Sequence, residues 1–184
     1  MPINAQHLID LYQKLLPLKL LPRTGWLQHG VAQPESIADH SFGVAVLAFM
    51  VADQIEALDH RRLLALAVVH DLAEALVTDL PSTAKRLLGA EAKQAAEQTA
   101  ITELFAGFPQ ANQTLVLWQE YTQQSSREAR LIKALDRLEL LAQTLAYEQA
   151  GNRNLGTFWQ GAEQGWEEFP LIAAMAAELV ARRG

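Results

Sequence analysis

A chain of 184 residues is long enough for one domain with a full hydrophobic core and does not require two, so residues 1–184 are read as a single unit. Hydrophobic residues make up 50% and charged residues 20%, which describes an ordered globular protein, and 21 acidic against 15 basic side chains, a net charge of -6, argues against a non-specific binder of nucleic-acid polymers. The same charge leaves room for a small anionic substrate, since a bound metal and a few arginines outweigh the global sign locally, and the absence of cysteine excludes disulfides and thiolate–metal chemistry.

The N-terminal stretch MPINAQHLIDLYQKLLPLKLLPRTG carries Asp10 and Lys14 and is interrupted by Pro17 and Pro22. It is too short and too broken for a membrane span and lacks a signal-peptide layout, so a soluble, cytoplasmic protein without membrane partners is expected. Within it, residues 4–16 place Leu8, Leu11, Tyr12, Leu15 and Leu16 on one helical face, with Asn4 as N-cap and Pro17 as terminator. Leu18 to Pro34 has no steady period and reads as a loop. It offers Arg23, Trp26 and His29, with two explanations open: Arg23 and Trp26 clamp a phosphate and its nucleoside, or Arg23 lies on the surface while Trp26 plugs the core.

Ser36, followed three residues on by Asp39, resembles a capping box and starts a helix carrying Val44, Leu47, Val51, Ile55 and Leu58. His40 lies in its first turns on the core side, either as a hydrogen-bonded core residue or as a ligand. Asp59 caps the next helix, which contains the apolar run Leu64 to Pro81 and reads as one buried helix ending near Asp79. His70, Asp71 and Glu74 form a polar seam in it, at the three- and four-residue spacings that share a helix face. Buried carboxylates are costly unless their charge is cancelled, and a divalent cation does so with imidazole and carboxylate ligands.

Ser82 to Gly107 reads as an exposed helix with a possible break at Gly89, and residues 110–122 as a short helix whose Trp118 and Tyr121 belong to core or interface. Ser125 and Glu128 repeat the capping spacing ahead of a long amphipathic helix packed through Leu131, Leu135, Leu138 and Leu145. Asp136 lies on that helix with Lys133 three residues before it. Asp136 is either a salt-bridged surface residue or part of a site, and Lys133 is a secondary candidate for contacting substrate. A Gly-rich loop from Gly151 to Gly165 with Phe158 and Trp159 precedes a last helix over roughly Phe169–Ala181. No segment alternates long enough for a strand, so the fold class is all-α.

His40, the pair His70 and Asp71, and Asp136 can meet at the centre of a helical bundle. Two imidazoles and two carboxylates suit Mn, Fe, Co, Ni or Zn better than calcium, which takes an all-oxygen shell. One such divalent transition-metal ion per chain would keep positions for water or substrate in six-coordinate geometry.

The order ESIADH (Glu35–His40), VVHDLAEA (Val68–Ala75) and KALDRLE (Lys133–Glu139) resembles the HD-domain metal-dependent phosphohydrolases. PRTGW (Pro22–Trp26), QPESIADH, HDLAEALVTD (His70–Asp79) and WQEYTQQSSREARLIKALDRLE (Trp118–Glu139) resemble the branch that contains 5'-deoxynucleotidases, and the likeness spans roughly Leu20 to Tyr147. It implies a single HD domain, a bundle of about six to eight helices around a central metal site. It further implies metal binding by His40, His70, Asp71 and Asp136, and a part in catalysis or in placing water for Glu74 and Asp79. Arg23 and Trp26 would recognise phosphate and nucleoside, although the order here is Arg-Thr-Gly-Trp instead of Arg-Trp. Dimers that hydrolyse deoxyribonucleoside 5'-monophosphates are implied as well. The wider superfamily also hydrolyses cyclic nucleotides, triphosphates and alarmones, and a regulatory protein that binds metal and nucleotide with little turnover is a further alternative.

Overall fold

The computed structural model describes residues 4–184, so the first three residues of the N-terminal stretch lie outside it. Asn4 accepts a hydrogen bond from the His7 amide and opens α1 (Ala5–Leu15), as its position before the first apolar residues requires. The expected loop after it contains a short α2 (Thr24–Gln28), too brief to show a period. Ser36 and Asp39 form a complete capping box on α3 (Ile37–Val51), and Asp59 caps α4 (His60–Val69). There follow α5 (Glu74–Val77), α6 (Ser82–Leu88), α7 (Ala90–Leu104), α8 (Ala111–Gln123), α9 (Arg127–Gln149) and α10 (Pro170–Arg183). Among the described residues there is no strand; a lone antiparallel bridge joins Pro22 to Ser36.

Three boundaries differ from expectation. The helix from Ser36 stops at Val51 rather than near Leu58, and a bend follows in which Ala57 has φ 59°. The cap of α9 is Ser126, whose hydroxyl accepts from the Ala129 amide, whereas Glu128 is drawn away to accept from the Asp59 amide. The largest difference is the apolar run from Leu64 to Pro81, which is not one helix. Helix α4 ends at Val69, and the bonds Leu72–Val69, Glu74–Asp71, Ala75–Leu72 and Leu76–Ala73 span three residues instead of four. This tighter winding advances each residue by about 120°, so Asp71 and Glu74 come nearly into line. Nor is the run wholly buried, since Val68 and Leu76 are exposed.

Helix α9, with 23 residues, is the axis of the bundle and packs against α3, α4, α8 and α10. Leu131, Ile132, Leu135, Leu138 and Leu141 are all buried in it, a stripe wider than one partner helix needs. Burying each such side chain contributes roughly 1.5–3 kcal/mol. They join Val44, Leu63, Leu66, Trp166, Phe169 and Ile172 in the main core, while Ile37, Val69, Ile101, Leu104 and Trp118 build a second one. His40 lies in α3 between Ile37 of the second core and Val44 of the first, so the polar seam runs where the two meet. No helix among the described residues is long and apolar enough to cross a membrane.

Candidate metal centre

Helix α3 packs on α9, and at Gly43 an added Cβ would stand 2.9 Å from Glu139 Oε1. The missing side chain lets Glu139 reach across and accept a 2.5 Å hydrogen bond from His40 Nδ1. At the end of α4, His70 Nδ1 donates to the Ala67 carbonyl at 2.7 Å. Both rings are thereby held with Nδ1 as donor, and both present the Nε2 lone pair inward.

Those two Nε2 atoms are buried and have no hydrogen-bond partner among the described residues. They face carboxylates: His40 Nε2 is 3.2 Å from Asp136 Oδ1 and 3.7 Å from Asp71 Oδ2, and His70 Nε2 is 3.2 Å from Asp71 Oδ2. Ligands about 2.0–2.2 Å from one ion stand roughly 3–3.4 Å apart, close to this spacing. The residues therefore fit a divalent cation, and the chain brings His40, His70, Asp71 and Asp136 together from α3, the turn after α4, and α9.

The electrostatics have the same sense. Burial would lower the pKa of His40, but the carboxylates of Asp136 and Glu139 beside it outweigh that and push it up to about 10. Burial, with Asp71 and Asp79 adding to it, pushes Glu74 up to about 9. An imidazole and a carboxyl thus both respond to the carboxylates around them, which favour the protonated form of each. A second acidic group, Glu35, His40 and Glu139, also comes close together. Its oxygens are already engaged by Trp26 Nε1 and by His40 Nδ1, and the 2.5 Å contact leaves no space for an ion.

Around this centre, Tyr121 donates from its hydroxyl to Asp136 Oδ2 at 2.9 Å and Lys133 Nζ donates to the same oxygen at 2.8 Å. Asp136 thus offers Oδ2 to these partners and Oδ1 to His40. Burial would raise its pKa, but Lys133 and His40 hold it well below the usual carboxylate range. Arg23, only 17% exposed, sits with Nη1 3.9 Å from Asp71 Oδ2 and Nε 3.8 Å from Glu35 Oε1. Asp79 leaves α5 through Thr78 and is tied by Oδ2 to the Thr24 amide at 2.7 Å.

Trp26 requires a correction. It is 1% exposed, stacks on Phe158 at 4.4 Å, meets Tyr147 edge-on, and donates from Nε1 to Glu35 Oε1 at 2.9 Å. It reaches the lining of the wider cavity but is almost wholly covered, which favours the core reading over the nucleoside clamp. Thr24 and Gly25 place it three residues beyond Arg23, on the inner side of α2, where it closes a small core with Val31 and Leu155. Trp118, Tyr121 and Trp159 are buried, the first two as the core reading expects, and Tyr121 also belongs to the centre. Glu35, Gly43, Tyr121 and Glu139 are the site residues that the sequence reading passed over. A glycine inside an otherwise apolar helix is itself a signal of close approach.

Two cavities meet here. One, of 290 Å³, is bounded by His70, Asp71, Glu74 and Asp136 together with α7 and α8. The other, of 610 Å³, is lined by Leu80, Leu140, Phe158, Gln28 and Gln160. Arg23, Asp79, Lys85, Lys133 and Asp136 border both.

A family model described as "HD domain" matches residues 16–169. The 5'-deoxynucleotidase HDDC2 of Bos taurus is 35% identical over 98% of this chain and 87% of its own length, and the 5'-deoxynucleotidase hdd1 of Schizosaccharomyces pombe is 36% identical over 78% and 75%. Among solved structures, the PH0347 protein of Pyrococcus horikoshii superposes with a TM-score of 0.76 at 37% identity, covering 95% of this chain and 98% of that one. A protein of Magnetospirillum magnetotacticum, described as a "Predicted metal-dependent phosphohydrolase", superposes at 0.73 with 25% identity, covering 97% and 91%. Matched in sequence over most of its length and in the arrangement of its helices, the chain belongs to the HD-domain family.

Proposed function

We propose that this protein is a metal-dependent phosphomonoesterase that hydrolyses deoxyribonucleoside 5'-monophosphates to the deoxyribonucleoside and phosphate. The observation that carries it is the pair of unpartnered, buried Nε2 atoms facing Asp71 and Asp136 beside Arg23, at the junction of a charged and a partly apolar cavity. The names of the relatives supply the substrate class.

His40, His70, Asp71 and Asp136 would hold one divalent transition ion, with Co, Mn, Fe, Ni and Zn all compatible with the donors. When bound, such an ion polarises a phosphoryl oxygen and lowers the pKa of water. Arg23 presents a planar fork of donors that matches a phosphate, and Lys133, half exposed at 50%, adds charge at the mouth while neutralising Asp136. Glu74, 7% exposed and with its raised pKa, holds a proton at a carboxylate oxygen and manages its transfer, while Asp79 orients water. The P–O5' bond breaks, the water oxygen stays on phosphorus, and the departing 5'-oxygen takes up a proton. The deoxyribonucleoside lies in the wider cavity, with Phe158 and Leu140 as apolar surface and Gln28 and Gln160 as amides at its rim.

Residues 1–184 act as one domain in this proposal, in the cytoplasm and as a homodimer. The apolar side chains that α3 leaves exposed, Phe42, Phe49 and Met50, support the dimer.

The test is phosphate release by chelator-stripped and reconstituted protein on ribo- and deoxyribonucleoside monophosphates, cyclic nucleotides and a dNTP. Deoxyribonucleoside monophosphates should be turned over, with activity lost on stripping and regained with Co or Mn. Full activity with metal well below one ion per chain, or turnover confined to the other nucleotides, would overturn the proposal.

A further inference from the structure

Thr24 makes three hydrogen bonds to one residue 55 positions away. Its amide donates to Asp79 Oδ2 at 2.7 Å, and its hydroxyl lies 2.9 Å from the Asp79 carbonyl and 3.1 Å from Oδ2. The hydroxyl has one proton to share between those two acceptors, so it acts as a forked donor. Asp79 Oδ2 is thereby occupied, and Oδ1 is left toward the cavity, where Lys85 Nζ stands 3.8 Å off.

The residue before Asp79 is strained. Thr78 has φ 63° and ψ 168°, a region that is essentially confined to glycine and is harder still for a β-branched side chain. Such a conformation persists only where the surroundings over-determine it. On one side the Thr78 amide is held by the Glu74 carbonyl at 3.0 Å, and on the other Asp79 is held by Thr24. Arg23, next to Thr24, has an independent anchor, because its amide donates to the Glu35 carbonyl at 3.0 Å beside the Pro22–Ser36 bridge.

We infer that Thr24 is a positioning residue, a latch that holds Asp79 in its strained approach and so registers the Asp79 carboxylate against Arg23. The inference rests on the phosphomonoesterase reading of the site. With the latch released, Thr78 relaxes and Asp79 leaves its place, while Arg23 keeps its own anchor. The expected signature is a fall in kcat with little change in KM.

The experiment compares Thr24→Val, which keeps the shape and the amide but removes the hydroxyl, with Thr24→Ser, which keeps both donors. Thr24→Val should lose at least tenfold in kcat on a deoxyribonucleoside 5'-monophosphate, with KM within about threefold, metal content unchanged and melting still cooperative, and Thr24→Ser should recover to within about threefold of the parent. On an Asp79→Asn background Thr24→Val should cost little more, because both changes act on one contact. Losses that multiply, a rise in KM alone, or a Thr24→Ser variant as impaired as Thr24→Val would overturn the inference. Amide hydrogen exchange at Thr24 reads the latch without turnover: it should be at least tenfold faster in Asp79→Ala than in the parent, and an unchanged rate would also overturn it. An inactive parent whose Thr24 amide nonetheless responds in this way would fault the assigned reaction and leave the latch standing.

Discussion

His40 and Glu139, 99 residues apart in sequence, are joined across α3 and α9 by a 2.5 Å hydrogen bond, and Gly43 is the gap that the Glu139 side chain fills. Glu139 holds the ring through Nδ1, so the orientation of Nε2 toward Asp71 and Asp136 depends on it. Glu139→Gln should weaken metal affinity by about 10- to 100-fold, the usual effect of losing a partner behind a ligand histidine. Gly43→Ala should do likewise. Alanine gains roughly 1 kcal/mol in helix propensity, but its methyl must displace Glu139, and overpacking costs about 1–3 kcal/mol. Calorimetric titration of stripped protein with Mn or Co checks both; parental affinity in both variants would reduce the His40–Glu139 bond to core packing.

Arg23 is held among Asp71, Glu35 and Asp79, and although burial alone would lower its pKa, Asp136, Asp71 and Glu35 raise it, so its charge is secure. Arg23→Ala should raise KM for a deoxyribonucleoside monophosphate by about 10- to 100-fold, from the roughly 1.5–3 kcal/mol of hydrogen bonds to a charged group. Arg23→Lys should recover only part, because an ammonium cannot make the planar paired contact. Steady-state kinetics with a parallel melting curve separates this from unfolding. A variant with a normal KM and a much lower melting temperature would make Arg23 a structural residue.

Phe42, Val46 and Phe49 recur along the face of α3 turned away from His40, and Phe42 and Phe49 are 71% and 72% exposed. A phenylalanine covers about 150–250 Å², so this stripe can form the apolar centre of an interface of about 800 Å² per partner. Light scattering should give twice the 20.3 kDa chain mass for the parent and the chain mass for Phe49→Glu at micromolar concentration. A monomeric parent would remove the homodimer from the proposal.

The parts of the fold that were legible in the sequence are those governed by local chemistry. Asn4, Ser36 with Asp39, and Asp59 all cap the helices they precede, and Gly89, at φ 86°, separates α6 from α7 where the break was expected. The break at His70 was not legible, because nothing in the apolar run from Leu64 to Val77 terminates a helix; tertiary packing imposes the tighter turn. The sequence left Trp26 open between clamp and core for a related reason, since five-residue α2 has no period from which an inner face can be read. Glu139 and Thr24 depend on partners 99 and 55 residues distant, and one sequence contains no record of such pairings.

Glu74 is where the proposed reaction divides chemistry from affinity. The tight winding after Val69 brings it nearly into line with Asp71, yet the Nε2 atoms of both histidines face Asp71 and Asp136 and leave Glu74 on the cavity wall. Burial, with Asp71 and Asp79 adding to it, pushes its pKa up to about 9, so a carboxylate oxygen there can hold a proton. Glu74→Ala should then keep near-stoichiometric metal and a cooperative melt while phosphate release falls by about 10²-fold or more. Asp71→Ala should lose metal and activity together, because Asp71 Oδ2 is the oxygen nearest His70 Nε2, at 3.2 Å, and also faces His40. Metal analysis and initial rates on the same two preparations decide the matter. Glu74→Ala as depleted of metal as Asp71→Ala would make Glu74 a ligand, and undiminished turnover would take it out of the reaction.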